Sequence, residues 1–335
     1  MPEFDDGLLD DPQALEAADG VIRPLAEAGA RLRREAAAAA AVLAGVEDEG
    51  RPRAVVAVGP EARLLRAVLE PSCPVPFVAW PSLGLPGWVG PLDLVVVLGG
   101  AGREAAAAVH EATRRGSRLI VTAPPDSPVA QEAGRSATLL PSQTSDPLCG
   151  AITVLMALHR LGLGPVTDPS AIADVLDDTA RACSYALDIA ANPAKSLALE
   201  LADALPLVWG GSVLAARASR RIAEALRAAS GRVALAADFS ELNPILAEAR
   251  PRDPFDDPFD GAARDARPAL VIVDDGAGDP AAAEHREVLE ANAQVADARV
   301  CVLEHLQDSS MERYAGVLQR GLFAAAYLQV GMGRA

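Results

Sequence analysis

The sequence is poor in aromatic side chains, cysteine, histidine and positive charge, and each shortage excludes something. Phe, Trp and Tyr make up 4% of the 335 residues, while half of the chain is hydrophobic. The core is therefore expected to consist of Ala, Val, Leu and Ile, with much of the alanine in closely packed helices. Lys and Arg number 30 against 46 Asp and Glu, a formal net charge of -16. Such a surface repels a phosphate backbone, so general nucleic-acid binding is not expected. An anionic ligand would need a local cationic or amide-lined pocket. The four cysteines, Cys73, Cys149, Cys183 and Cys301, form no CxxC pair. They read as reduced, mostly buried thiols of a cytosolic protein and not as a zinc site. Neither HExxH nor GxSxG occurs among the few histidines and serines, which removes the support for a zinc protease or a Ser-His-Asp hydrolase. No apolar run reaches the length of a membrane span, and the acidic N-terminal stretch lacks the basic and apolar regions of a signal peptide. The expectation is a cytoplasmic protein without a membrane segment.

What is present points to an α/β fold. The length suits two domains of similar size. Residues 12–45 read as helical, with a break at Pro24. Short Val-rich runs follow: "RAVVAVG" (53–59), "VPFVAW" (75–80), "LDLVVVLGG" (92–100), "SRLIVTA" (117–123) and "ATLLP" (137–141). They are apolar throughout and not alternating, as strands covered on both faces are. Helical stretches lie between several of them, which implies a parallel sheet with right-handed crossovers. Two helices are expected near 147–162 and 168–190. Then the pattern restarts with "PLVWGG" (206–211), "GRVALAA" (231–237), "PALVIVDD" (268–275) and "ARVCVLEH" (298–305), and a last helix near 309–331. The division read from this is an N-terminal helical segment (1–45), a first α/β domain (46–165), a helical connection (166–205) and a second α/β domain of the same type (206–335). The acidic repeat "DPFDDPFDG" (253–261) does not match a calcium loop and reads as solvated.

Parallel sheets bind ligands beyond the C-terminal ends of their strands. That rule selects four turns: Gly59-Pro60-Glu61, Gly99-Gly100-Ala101-Gly102-Arg103-Glu104, Gly210-Gly211-Ser212 and Phe239-Ser240-Glu241. The second turn opens a helix, and its glycines would let amides approach a phosphate while Arg103 adds charge. It lacks the Walker Gly-Lys-Ser/Thr ending, and Ala105 takes the third position of GxGxxG, so it reads either as a ligand loop or as a tight turn. Ser212 reads as a helix N-cap or a phosphate donor. Glu241 follows an apolar segment and begins a polar kink containing Asn243 and Pro244. It reads as a partly desolvated proton shuttle or as a helix-terminal hydrogen-bond partner. His285 lies in or at the start of a helix after "LVIVDD", where it could face a strand-end cleft. His110 and His159 read as surface or packing residues.

From Asn192 onward, "NPAKSLALELADALPLVWGGSVLAARASRRIAEALRAASGRVALAADFSELN" resembles the second half of bifunctional phosphoglucose/phosphomannose isomerases of the sugar isomerase (SIS) superfamily. The matching elements are Asn192-Pro193-Ala194-Lys195, Leu197-Ala198, the segment from Pro206 to Gly210, Ala216-Arg217 and Glu241-Leu242-Asn243. The end "ERYAGVLQRGLFAAAYLQVG", with Tyr327-Leu328, resembles the family's last helix. "LPGWVGPLDLVVVLGG", "RRGSRLIVTA" and "LPSQTSDP" agree in outline with its first half.

The resemblance implies two SIS domains that bind a hexose 6-phosphate, and isomerisation between C1 and C2 through an enediol without metal or cofactor. It makes Glu241 the proton shuttle; His285, from its own place after "LVIVDD", is the second candidate catalytic group. From the strand-end turns, not from the resemblance, Gly59, Arg63, Gly99, Gly100, Gly102, Arg103 and Ser212 are the candidate substrate-binding residues. A homodimer is implied by the resemblance alone. The departures are specific. The family's serine- and threonine-bearing phosphate loop is replaced by "LGGAGREA". Its first loop reads Gly59-Pro60-Glu61-Ala62-Arg63, where Glu61 would repel a phosphate. Its Asn-Glu-Asn-Ala-Lys segment becomes "EALRAAS". Arg63 and Arg103 are the cations at hand to compensate. Two functions follow: an aldose–ketose isomerase, or a non-catalytic SIS protein that senses a sugar phosphate or nucleotide sugar or partners another enzyme.

Overall fold

The structure is a computed structural model that describes residues 4–46, 50–99, 102–135, 137–144, 146–249, 251, 267–306 and 309–335. Gly100 and the acidic repeat at 253–261 lie outside them. The chain divides into two compact units, one formed by Gly29–Ala173 and the other by Met1–Ala28 with Asp174–Ala335.

The N-terminal segment is a 3-10 turn (Asp6–Leu9) followed by α1 (Pro12–Ala17), α2 (Asp19–Ala26) and α3 (Ala28–Ala44). Asp11 caps α1 by accepting from the Gln13 and Ala14 amides, with Pro12 in the first turn, where its missing N–H is not needed. Pro24 does not break the helix at its own position. It lies inside α2, and the interruptions fall at Ala18 and Glu27. Only two residues of α2 follow the proline, so little of the hydrogen-bond ladder is lost.

Within Gly29–Ala173, β1 (Val55–Val58), α4 (Ala62–Leu69), β2 (Phe77–Trp80), β3 (Leu94–Val97), α5 (Arg103–Arg115), β4 (Arg118–Ala123), α6 (Pro128–Ala133), β5 (Thr138–Pro141) and α7 (Pro147–Arg160) alternate as expected. The five strands are parallel in the order β2-β1-β3-β4-β5. Every residue of β1 and β3 is buried, which is why these runs carry no polar alternation. One face of the sheet packs its valines, Val56, Val58, Val95, Val97 and Val121, against Ala108, Val109 and Ala112 of α5. Glu35 of α3, 2% exposed, accepts the Gln143 and Thr144 amides and the Thr144 hydroxyl, and so fixes the chain after β5.

The remaining elements are α8 (Pro169–Ala182), α9 (Pro193–Glu200), β6 (Ala204–Gly210), α10 (Val213–Ser230), β7 (Leu235–Ala236), α11 (Phe239–Glu248), β8 (Arg267–Asp274), α12 (Pro280–Val295), β9 (Arg299–Glu304) and α13 (Ser310–Gly331). The helix expected to reach residue 190 stops at Ala182. The Ser184, Tyr185 and Leu187 carbonyls turn to side chains instead, accepting from Asn192 and from the buried Lys195 ammonium. Lys195 also pairs with Asp10 at 2.8 Å, and the Asp5 amide donates to the Gly331 carbonyl, so the N-terminal segment is fastened to its own unit. The second sheet is also parallel, in the order β7-β6-β8-β9. Helices α10 and α13 pack so closely that a Cβ at Gly321 would lie 2.5 Å from Ile222.

Two further expectations are corrected. The strand expected over 231–237 shrinks to Leu235–Ala236, and the polar kink at Asn243 and Pro244 is the middle of α11. Its first turn is set by a capping box between Asp238 and Glu241. All four cysteines are free, but only Cys149 and Cys183 are buried. Burial pushes the Cys183 thiol up to about 11. Among the described residues no helix is long and apolar enough to cross a membrane.

Candidate functional site

In the first sheet the strand order reverses beside β1, so the ligand crevice of such a fold lies past the ends of β1 and β3. The structure brings the expected turns together there. Gly59 has φ 116°, and a Cβ on it would stand 2.3 Å from the Leu98 carbonyl oxygen, so only glycine fits where the two turns meet. Gly99, with φ 70°, donates its amide to the Thr122 hydroxyl at 2.9 Å. Gly102 caps α5 without a side chain, and Arg103 begins that helix, exposed. Arg63 is exposed on α4. Glu61, 3% exposed, precedes α4 and places a buried carboxylate at the same turn. Arg63 and Arg103 thus stand on the helices that follow the two turns, with the Glu61 carboxylate at the first of them.

The second sheet holds the other candidates. Ser212 caps α10 by accepting from the Ala215 amide at 2.9 Å, and its hydroxyl donates to Asp275 Oδ2 at 2.5 Å. Glu241 lies in the first turn of α11, exposed, and its Oε2 accepts the Asp238 amide at 3.2 Å. The helix-terminal role is thus observed, and an exposed carboxylate lacks the desolvation expected from the sequence. His285 of α12 is half-buried and stacks on Phe239, ring centroids 4.1 Å apart and nearly coplanar. Phe239 and Glu241 share one helical turn, so the stack sets the imidazole beside the turn that carries Glu241. The packing is held by Asn292, whose amide donates to Asn243 Oδ1 at 2.7 Å. Ser212 belongs to a different turn, at the end of β6.

Sequence reasoning missed Thr122, Asp275 and Glu35. Thr122 and Asp275 had a signal, a polar residue at or just past the end of an apolar strand. Glu35 had none, because its partners lie more than a hundred residues away.

Residues 190–334 match the family model described as the bacterial phospho-glucose isomerase C-terminal SIS domain. No curated protein matches the chain in sequence. Solved structures do match in fold. A glucose-6-phosphate isomerase like protein from Thermus thermophilus is 18% identical, with a TM-score of 0.54, covering 96% of this chain and 92% of the other. A hypothetical protein of Thermus thermophilus is 15% identical with a TM-score of 0.61, covering 98% and 94%. The C-terminal domain of glucosamine-fructose-6-phosphate aminotransferase from Francisella tularensis is 11% identical with a TM-score of 0.56, covering 90% and 95%. Residues 190–334 thus match a SIS domain, and over nearly its whole length the chain, two parallel sheets flanked by helices, is similar in fold to these structures.

Proposed function

We propose that the chain binds a carbohydrate derivative of the phosphosugar class and does not itself isomerise it. One observation carries this reading: the Glu241 carboxylate is exposed and committed to a capping box. A base that moves a proton between C1 and C2 works in a water-excluded site, within hydrogen-bond reach of its substrate. A carboxylate in solvent that caps a helix serves the backbone instead. The Gly59 and Gly99 turns support binding in a weakened form. The exposed Arg63 and Arg103 suit an anion, while Glu61 opposes one, the Gly99 amide is already given to Thr122 and neither turn has a hydroxyl side chain of its own. Each polar contact missing from a phosphate lowers affinity by about 1.5–3 kcal/mol.

The test incubates the protein with glucose, mannose and fructose 6-phosphates. No interconversion is expected, and at least one of the three should raise the melting temperature through binding linkage. Absence of any shift contradicts the binding reading. A second reading, enediol isomerisation by Glu241 and His285, is favoured by the Phe239–His285 stack beside the α11 turn. Turnover lost in both Glu241→Gln and His285→Gln would establish it. A cytoplasmic homodimer belongs to the same proposal, and light scattering on the purified protein checks the pairing.

A further inference from the structure

The second sheet carries a formed cleft of about 310 Å³, the size of a ligand such as a monosaccharide or nucleoside. It opens past the C-terminal ends of β6 and β8, where this sheet's strand order reverses. Trp209 and Ile272 give it apolar walls, and Ser212, Asp274, Asp275 and Arg286 give it polar ones.

The polar groups are already held in position. Asp275 is 5% exposed; its Oδ2 accepts from the Ser212 hydroxyl and its Oδ1 from the Ala277 amide at 3.3 Å. Asp274 accepts from the Arg286 guanidinium at 2.6 Å and from the Gly276 amide at 2.9 Å. Arg286 is fixed in turn by Glu290 at 2.9 Å. Each carboxylate oxygen that accepts one bond has room to accept another.

Charge and geometry narrow the ligand. Two adjacent carboxylates against one guanidinium, itself paired, disfavour a phosphate. Among the described residues no group of His, Cys, Asp and Glu is arranged to hold a metal ion. The carboxylate nearest Arg286, that of Asp274, is already paired with a cation and leaves Asp275 as the acceptor. What remains is a neutral molecule with an apolar flank and paired hydroxyl donors.

We propose that this cleft binds a ring bearing a vicinal diol, with Asp275 accepting from the hydroxyls, Trp209 beside the ring's apolar flank, and Ser212 and Arg286 holding the two carboxylates in place. The shared chemistry is that of a hexose or of the ribose of a nucleoside. The ligand's being a carbohydrate derivative rests on the function proposed above; the site does not, since it uses neither Glu241 nor the glycine turns of the first sheet.

The test is saturation-transfer NMR on the full chain. The probes are methyl α-D-mannopyranoside, methyl α-D-glucopyranoside, adenosine, 2′-deoxyadenosine as the control without a ribose diol, and mannose 6-phosphate. The variants are Asp275→Asn, which keeps the shape, and Ala283→Trp, which fills the cleft from an exposed position on α12. The expected result is transfer to at least one diol probe, none to 2′-deoxyadenosine, and a loss of affinity of roughly tenfold or more in both variants. Transfer to a hexoside or to adenosine decides between the two sources. Should Asp275→Asn fail to fold, Ala283→Trp carries the test alone. No transfer to any diol probe, or binding unchanged in the folded variants, overturns the proposal. Mannose 6-phosphate binding that survives both variants belongs to the first sheet's turns and supports the function proposed above; diol-probe binding that survives them ends this inference.

Discussion

Both sheets reverse their strand order beside their first strand, β2-β1-β3 in one and β7-β6-β8 in the other, yet the two reversal points are built from different materials. In the first, two glycine turns press together until the Leu98 carbonyl leaves no space for a Cβ at Gly59, and the nearby carboxylate of Glu61 is buried. In the second, the glycine turn ends in Ser212, whose hydroxyl reaches across to Asp275 and borders an open cleft. One scaffold thus carries a glycine-walled turn pair beside a buried acid at one reversal point, and a hydroxyl–carboxylate pair bordering a cleft at the other. Turn chemistry at the strand ends, more than the sheet, sets what each domain can bind.

The units also differ in how they hold their flanking segments, which offers the largest test. The Lys195 ammonium, fully buried, donates to Asp10, Tyr185 and Leu187, while Glu35 accepts three bonds after β5. Lys195→Met should cost about 3 kcal/mol by stranding the Tyr185 and Leu187 carbonyls, Asp10 being solvated, and Glu35→Gln about 2 kcal/mol. Chemical denaturation measures both; equal and negligible losses would erase the distinction. Ser212→Ala removes the α10 cap and Asp275's donor, and a loss of about 1 kcal/mol is expected from the same measurement. Glu241→Gln should change stability by about 0.5 kcal/mol or less, since an exposed capping carboxylate is replaced by an amide that still accepts. It should leave sugar-phosphate thermal shifts unchanged.

A pH effect belongs to the second unit alone among these. Burial lowers the pKa of His305, which sits past β9 with Gly316 packed against its ring. The unfolded chain then binds the proton more readily, so this histidine's contribution is intact above pH about 6.5 and is lost as pH falls toward its folded value. The melting temperature should drop over that window, and less so in His305→Gln.

The architecture was readable because β1 and β3, buried on all sides, had to be uniformly apolar, and glycine had to stand where backbones touch, as at Gly59. The resemblance-bearing Asn192 and Lys195 turn out to be structural. Asn192 caps α9 and Lys195 gathers carbonyls. Helix α11 was misread because Pro244 looked like a breaker, although Asp238 and Glu241 stood three apart, the spacing of a capping box. The cleft was not readable: Ser212 and Asp275 lie 63 residues apart, and only the pairing of β6 with β8 joins them.

The central claim is that Glu241 does not move a substrate proton. Glucose, mannose and fructose 6-phosphates held with the protein in deuterium oxide would exchange a C1 or C2 proton for deuterium if an enediol formed, and proton NMR reads this directly. The account predicts no exchange above a protein-free control; exchange that disappears in Glu241→Gln would contradict it.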